Sequence, residues 1–461
     1  MQATYALGAL ALLFAVSPVA GAAGLSEVWQ AAVQNDRELA VAHASQAAAQ
    51  PRLDQAGALW RPQVALSATL GLATSETETR GAQFSAPGFG QSNGVGFNTS
   101  VTNGGTGRWA VSAVQPLYNP ARRAQQQQLR LSGEVAELEW QAARQALMLR
   151  TAQRYFEVAL AEESARVLTQ QLEAVQRATT EVKDRFELGS VPVTDTHEAR
   201  ARLAGVQAQL LAAQTDLQIK RGLLADSTGL PAPALDARLP ATAAAAAEPR
   251  ALEQWQADAQ TGNPGIRMRL IATDVARQEV TRYGARAAPQ VDLVAQASRE
   301  RLSGSGDFGS AANTATNRMI GVQLSMPIFT GGYRSAQEHE ALRGVDKAAA
   351  QADLTRQQVA QEVRAAWLGL SVGAQRVQAL AESLSASEAR RDATRVGQQI
   401  GDRTTQDLLD AENEHAATRL ALAQARVGLV MERLRLAALT GQLDDAALRA
   451  LDTTLESAPQ S

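Results

Sequence analysis

Asp407 and Asp410, three residues apart where a long helix begins, are the nearest thing in the chain to a paired-carboxylate site. The spacing puts both on one helical face, where they could gather cations. Acids in a first helical turn also complement the helix dipole, so spacing alone leaves a purely structural role open. The four histidines, His43, His197, His339 and His415, keep no ligand spacing and read as solvated. With no Ser/His/Asp or Cys/His arrangement and no phosphate-binding loop, the chain reads as a non-enzyme without metal or cofactor. The absence of cysteine excludes disulfides, thiolate metal sites and a lipidated N-terminal Cys. A net charge of −3 carries no basic footprint, so nucleic acid is not an expected partner.

These acids need a scaffold, and composition indicates its kind. Of the 461 residues 45% are hydrophobic but only 4% aromatic, because alanine carries much of the apolar content. Alanine with Gln, Glu, Arg and Leu is the composition of long, closely packed helices. Residues 1–22 read as a secretory signal. An apolar core from Ala6 to Val16 precedes the small-residue site Ala20-Gly-Ala22, although Met1 to Tyr5 supplies no Lys or Arg. The mature chain is expected to begin near Ala23. No later run is long and apolar enough for a spanning helix.

The rest is a tandem repeat. Asn35-Asp36 answers Asn263-Pro264, and Arg61-Pro62-Gln63-Val64 answers Ala288-Pro289-Gln290-Val291. Val114-Gln-Pro-Leu-Tyr118 then answers Ser325-Met-Pro-Ile-Phe329, after which one register pairs Tyr155 with Trp367, Gly189 with Gly401, Asp195 with Asp407 and Gly229 with Gly441. The offset falls from 227 to 211 between Pro62 and Pro116, which places an insertion in the middle of the first half. The expected boundaries are a first repeat at 23–230, a Pro/Ala linker at 231–249, a second repeat at 250–441 and a C-terminal tail at 442–461.

Each half reads as helix, strand, loop, strand, long helix, turn and helix. The first helices, about Ser26 to Leu59 and Ala251 to Arg286, stop at Pro62 and Pro289, because proline disfavours a helical residue before it. Alternation follows. Val64, Leu66, Ala68, Leu70 and Leu72 share one face of the first strand, as do Ile320, Val322, Leu324 and Met326 on the second strand of the second half, whose first-half counterpart carries Trp109, Val111 and Ala113. Thr74 to Gly107 and Ser303 to Asn317, rich in Gly, Ser, Asn and Thr, read as flexible loops. No proline interrupts Ala121 to Leu188, a rod of roughly 100 Å at 1.5 Å per residue. Leu168, Leu172, Val175, Thr179, Val182 and Phe186 on it, with Leu203, Val206, Leu210, Ala213, Leu217 and Leu224 on its return, predict an antiparallel coiled coil. The second half has a weaker seam there, where Leu380 and Leu384 give way to Ser387 and Arg391.

Strands of about ten residues can cross a bilayer when tilted, but four cannot close a barrel, and lipid tolerates no open edge. Several copies must therefore combine. Two would give a filled barrel of 8 strands, and three would give 12 with a lumen. The tandem halves, the Pro62 and Pro289 junctions and the tips Leu188-Gly-Ser-Val-Pro-Val-Thr-Asp195 and Ile400-Gly-Asp-Arg-Thr-Thr-Gln-Asp-Leu-Leu-Asp-Ala411 resemble the TolC family of outer-membrane export proteins over essentially the whole mature chain.

The resemblance implies an α+β membrane protein: a homotrimer with a 12-stranded barrel in outer-membrane lipid and a helical tunnel in the periplasm. It implies a periplasmic adaptor, an inner-membrane ABC or other pump, and an exported substrate as partners. Lacking the lipidated Cys, the chain looks most like the type I protein-secretion branch, with drug or small-molecule efflux as the alternative. By the same resemblance Asp407 and Asp410 form a carboxylate ring at the periplasmic entrance, and Arg403 links to Thr194 and Asp195 of a neighbour. Gln398 departs from the prototype's gate tyrosine. Gly189, Ser190, Val191, Gly401 and Asp402 at the tips would meet the adaptor, and Trp109 would join the interfacial aromatic girdle. Gly189 and Gly401 are also ordinary helix caps. A surface coiled-coil adhesin would explain the heptads but not two matched strand pairs, and an adaptor would carry one hairpin rather than two.

Overall fold

The computed structural model describes residues 24–88, 90–232, 235, 237–241, 250–306 and 309–455. The expected signal segment and most of the Pro/Ala linker lie outside them. The elements run α1 (Leu25–Asn35), α2 (Arg37–Ala47), α3 (Ala49–Ala58), β1 (Gln63–Ala86), β2 (Gly90–Tyr118), α4 (Pro120–Glu187) and α5 (Val193–Thr228). The second half repeats them as α6 (Leu252–Gly262), α7 (Pro264–Gly284), β3 (Gln290–Gly306), β4 (Gly309–Ser325), α8 (Tyr333–Gln399) and α9 (Thr405–Leu439), followed by α10 (Asp445–Asp452). No described helix is long and apolar enough to cross a membrane.

Two sequence expectations need correction. The first helix of each half is not continuous. Asp36 adopts an extended backbone and accepts a bond from the amide of Leu39, ending α1 and capping α2 in one step. Asn263 does the same between α6 and α7, accepting from the amide of Ile266. The presumed loops are also largely strand, because β1 and β2 continue to 24 and 29 residues and β3 and β4 to 17 each. A backbone ladder needs no apolar side chains, so a polar ribbon can extend a strand beyond its apolar stretch. The first-half insertion therefore lengthens a hairpin instead of a loop.

The chain divides into two compact units. One comprises Ala47–Ala136 and Leu270–Ala350, and holds one antiparallel sheet in the order β1-β2-β3-β4. Its register aligns Val64, Ala113, Ala295 and Ile320 in one row, and Leu66, Val111, Ala297 and Arg318 in the next. All these side chains share a face on which Leu66, Leu70 and Ile320 are exposed by 73%, 88% and 76%. The opposite face is polar, with rows such as Ser67, Ala110, Ser298 and Asn317. From Val64 to Leu72 the apolar stretch is about 26 Å at ~3.3 Å per residue, close to the ~25 Å apolar band of outer-membrane barrels. The outer edges of β1 and β4 have no strand beside them among the described residues.

The other unit is helical. Leu25, Val28 and Trp29 of α1, Tyr155 and Phe156 of α4, Leu224 of α5, Val430 and Leu434 of α9 and Leu448 of α10 form its main core. The repeat shows in its joints: Asn35 donates its side-chain amide to the carbonyl of Asp226, and Asn263 donates to that of Leu439. Leu235 from the linker is buried in the same core, and the C-terminal helix α10 fixes the start of α1 through Asp452, which accepts from the amide of Leu25 and the hydroxyl of Ser26.

Candidate functional site

The two hairpin tips of the helical unit lie at Gly189 and Gly401, both left-handed at φ 73° and 84°. Ser190 donates back to the carbonyl of Arg185, and Asp402 to that of Gly397, which closes each helix with the same six-residue bond. Without a Cβ each glycine adopts this turn freely; any other residue there would be strained. Ser190 and Asp402 are exposed beside them, and Val191 is half-buried.

Beyond the turns the tips differ. Thr404 caps α9: its hydroxyl accepts from the amide of Asp407, and the Asp407 carboxylate accepts from the amide of Thr404 at 2.9 Å. That backbone bond, with the Thr404 hydroxyl and nearby Arg403 and Arg390, holds Asp407 below the usual carboxylate pKa. In α5 the cap position is Pro192, which makes no side-chain cap bond. Asp195 there accepts from the hydroxyl of Thr194 at 3.2 Å. Arg403 lays its aliphatic stem over Gly397, where an added Cβ would come within 2.8 Å of its Cγ.

Asp410 is not adjacent to Asp407 in partnership: it pairs with Arg202 of α5 at 2.7 Å. Between the two acids Leu409 points inward and packs with Val175, Ala178 and Val206 of the first hairpin. Gln398, at the position where the prototype has a tyrosine, is buried and donates to Glu181 of α4 at 2.7 Å. Farther along, Gln171 bonds Asn413 at 3.0 Å, and Arg419 meets the buried Glu163 at 2.7 Å. Leu409, Glu181, Arg202 and the Glu163–Arg419 pair were not marked by the sequence, because only the fold brings together positions more than 200 residues apart. His415 also departs from expectation: it is inserted between α8 and α9, 3.4 Å from the hydroxyl of Ser387. Burial, with nearby Arg391, lowers its pKa despite Glu388 and Glu412.

In the sheet unit, Trp109 lies on the apolar face beside Arg299 in register and is 46% exposed. Among the described residues no three His, Asp or Glu side chains converge on a metal position.

The family model described as "Outer membrane efflux protein" matches residues 28–230 and 255–442, most of both repeats. The chain is 26% identical over 448 residues to the outer membrane protein TolC of Escherichia coli, covering 95% of this chain and 86% of that protein. It is 27% identical over 447 residues to the proteases secretion protein PrtF of Dickeya chrysanthemi, covering 95% and 93%. In structure it resembles the outer membrane protein VceC of Vibrio cholerae, with a TM-score of 0.68, 21% identity and coverage of 91% and 97%.

Proposed function

Because the chain belongs to the outer membrane efflux protein family, a group of channels and not enzymes, we propose that it is the outer-membrane conduit of a type I protein-secretion system. One observation carries the channel reading: an open four-stranded sheet with an apolar face and two free edges, continued in sequence by helices of 68 and 67 residues. In lipid such a sheet must close with other copies. Three copies give a 12-stranded barrel with a lumen, and the long helices supply the periplasmic tunnel.

The secretion reading is supported by similarity to PrtF along nearly the whole chain. The partners are a periplasmic adaptor at the tips around Gly189 and Gly401 and an inner-membrane pump. At the entrance, Asp407 and Asp410 of three copies bring six carboxylates around one constriction, and Arg403 reaches Thr194 and Asp195 of the next copy. Trp109 stands in the aromatic girdle.

In cell fractions the protein should travel with the outer membrane and migrate, unheated, well above the 48.8 kDa of one chain. A water-soluble monomer released without detergent would end the barrel reading. Deleting the gene should remove proteins from the culture medium; loss of drug resistance with an unchanged medium would assign it to efflux instead, as the similarity to the Brucella suis efflux protein BepC would have it. In planar bilayers, Arg403→Ser should raise conductance, and millimolar trivalent cations should block wild-type current far more than that of Asp407→Ala with Asp410→Ala. Equal block of both would remove the acids from the entrance.

A further inference from the structure

The apolar face of the sheet carries three arginines. Arg318 on β4 stands directly across from Ala297 on β3. Arg299 and Arg301 follow Ala297 at two-residue steps, hence on the same face, and Arg299 lies across from Trp109 on β2. The three register rows through these arginines contain Leu66, Val111, Ala68, Thr316, Leu70, Gly107 and Thr314 besides Trp109 and Ala297, and no acid. Glu300, the nearest carboxylate in sequence, belongs to the opposite face, across from Arg108. Arg299 and Arg318 are both exposed.

Next to Arg318 the same face is hollow. A shallow, open depression of about 400 Å³ is lined by Val111, Ala113, Ala295, Ala297, Arg318 and Ile320, with Gln296 and Met319. The three alanines carry little side-chain bulk and leave a shallow trench beside Val111 and Ile320. A guanidinium facing hydrocarbon is costly unless an anion meets it, and Arg is the side chain best shaped to hold a phosphate through paired bonds.

We propose that this trench and its arginines bind lipid A, the acylated disaccharide with two phosphates in the outer leaflet, one acyl chain lying along the alanines and the phosphates on Arg299, Arg301 and Arg318. The assignment rests on the outer-membrane barrel reading. The helices leave the sheet at its Gln63 and Tyr118 end. The arginines lie farther along, toward the end that a barrel with a periplasmic tunnel exposes outside. Cations on two adjacent strands suit a headgroup with two phosphates. A glycerophospholipid brings one, and in phosphatidylethanolamine an amine accompanies it.

Detergent-purified full-length protein, stripped of native lipid, is titrated with lipid A, monophosphoryl lipid A, phosphatidylglycerol and phosphatidylethanolamine, and complexes are counted by native mass spectrometry. Lipid A should bind best. Arg299→Gln with Arg318→Gln should weaken it about tenfold or more, by the loss of charge-assisted bonds, while phosphatidylethanolamine changes little. Undiminished lipid A binding by the double variant, or binding of phosphatidylglycerol as tight as that of lipid A, would overturn the proposal. Arg318→Gln alone keeps the test available if the double variant does not assemble. Assembly is read separately from migration of unheated protein, so a wild type that never forms the oligomer defeats the barrel reading and not this site specifically.

Discussion

The two hairpins share lengths, turn geometry and matched glycines, yet they are held closed by different forces. In the first, α4 and α5 meet through Val175, Ala178, Val182, Val206 and Leu210, all buried. In the second, the apolar contacts among Val377, Leu380, Leu384 and Leu422 stop short of the tip. There α8 and α9 are joined by Arg390–Glu414, Arg395–Glu412 at 2.6 Å and the Ser387–His415 contact. Apolar burial responds little to ions or protons, whereas half-exposed ion pairs are screened by salt and are individually worth at most about 1 kcal/mol. A duplicated scaffold thus contains one rigid arm and one adjustable arm. The adjustable arm carries Arg403, Asp407 and Asp410, and it leans on the rigid one through Leu409, Gln398 and Asp410.

The largest break in that comparison is Leu409→Ala, which empties the apolar anchor that holds the start of α9 against the first hairpin. It should cost about 2–5 kcal/mol locally and raise hydrogen exchange along the start of α9 more than along α5. Equal protection in both would mean that the polar links suffice. Smaller is Thr404→Ala, which removes the cap of α9 and should cost about 1 kcal/mol, read as fraying of the first turn of α9. Pro192→Thr is the mirror experiment: a hydroxyl at the matching cap position should steady the start of α5.

The smallest effect is set by protons and separates two groups. The pKa of His415 is depressed below its ordinary value of 6.5, so its contact is intact above that pH and weakens as pH falls through the lowered value. Asp407 is depressed from 3.8, so its cap is intact above the ordinary value and lost only in stronger acid. As pH falls below the ordinary histidine value, exchange should therefore rise around His415 before the α9 cap is lost, and His415→Gln should abolish that rise. A response unchanged in His415→Gln would place the titrating group elsewhere.

Much of this was legible in residues. Matched prolines and glycines announced the repeat, since Pro62, Pro289, Gly189 and Gly401 act through local backbone conformation. The weaker second seam was visible in Ser387 and Arg391. The length of β1 and β2 was not, because Thr74 to Gly107 lacks apolar alternation and the ladder that extends it is made by backbone groups. Nor were Gln398–Glu181 and Arg202–Asp410, which no local pattern encodes. The opening of the first helix at Asp36 could have been noticed, since an Asp three residues before Leu39 is a cap signal.

The free edges of β1 and β4 bear on time as well as shape. A helix or hairpin of this chain can complete its hydrogen bonds alone, at a rate independent of how many copies are present. The sheet cannot: among the described residues its outer rows of amides and carbonyls have no strand beside them, and in the proposed barrel a strand of another chain pairs them. In the proposed barrel the last step of folding is consequently a collision, whose rate grows with concentration and whose delay lengthens when the chain is scarce.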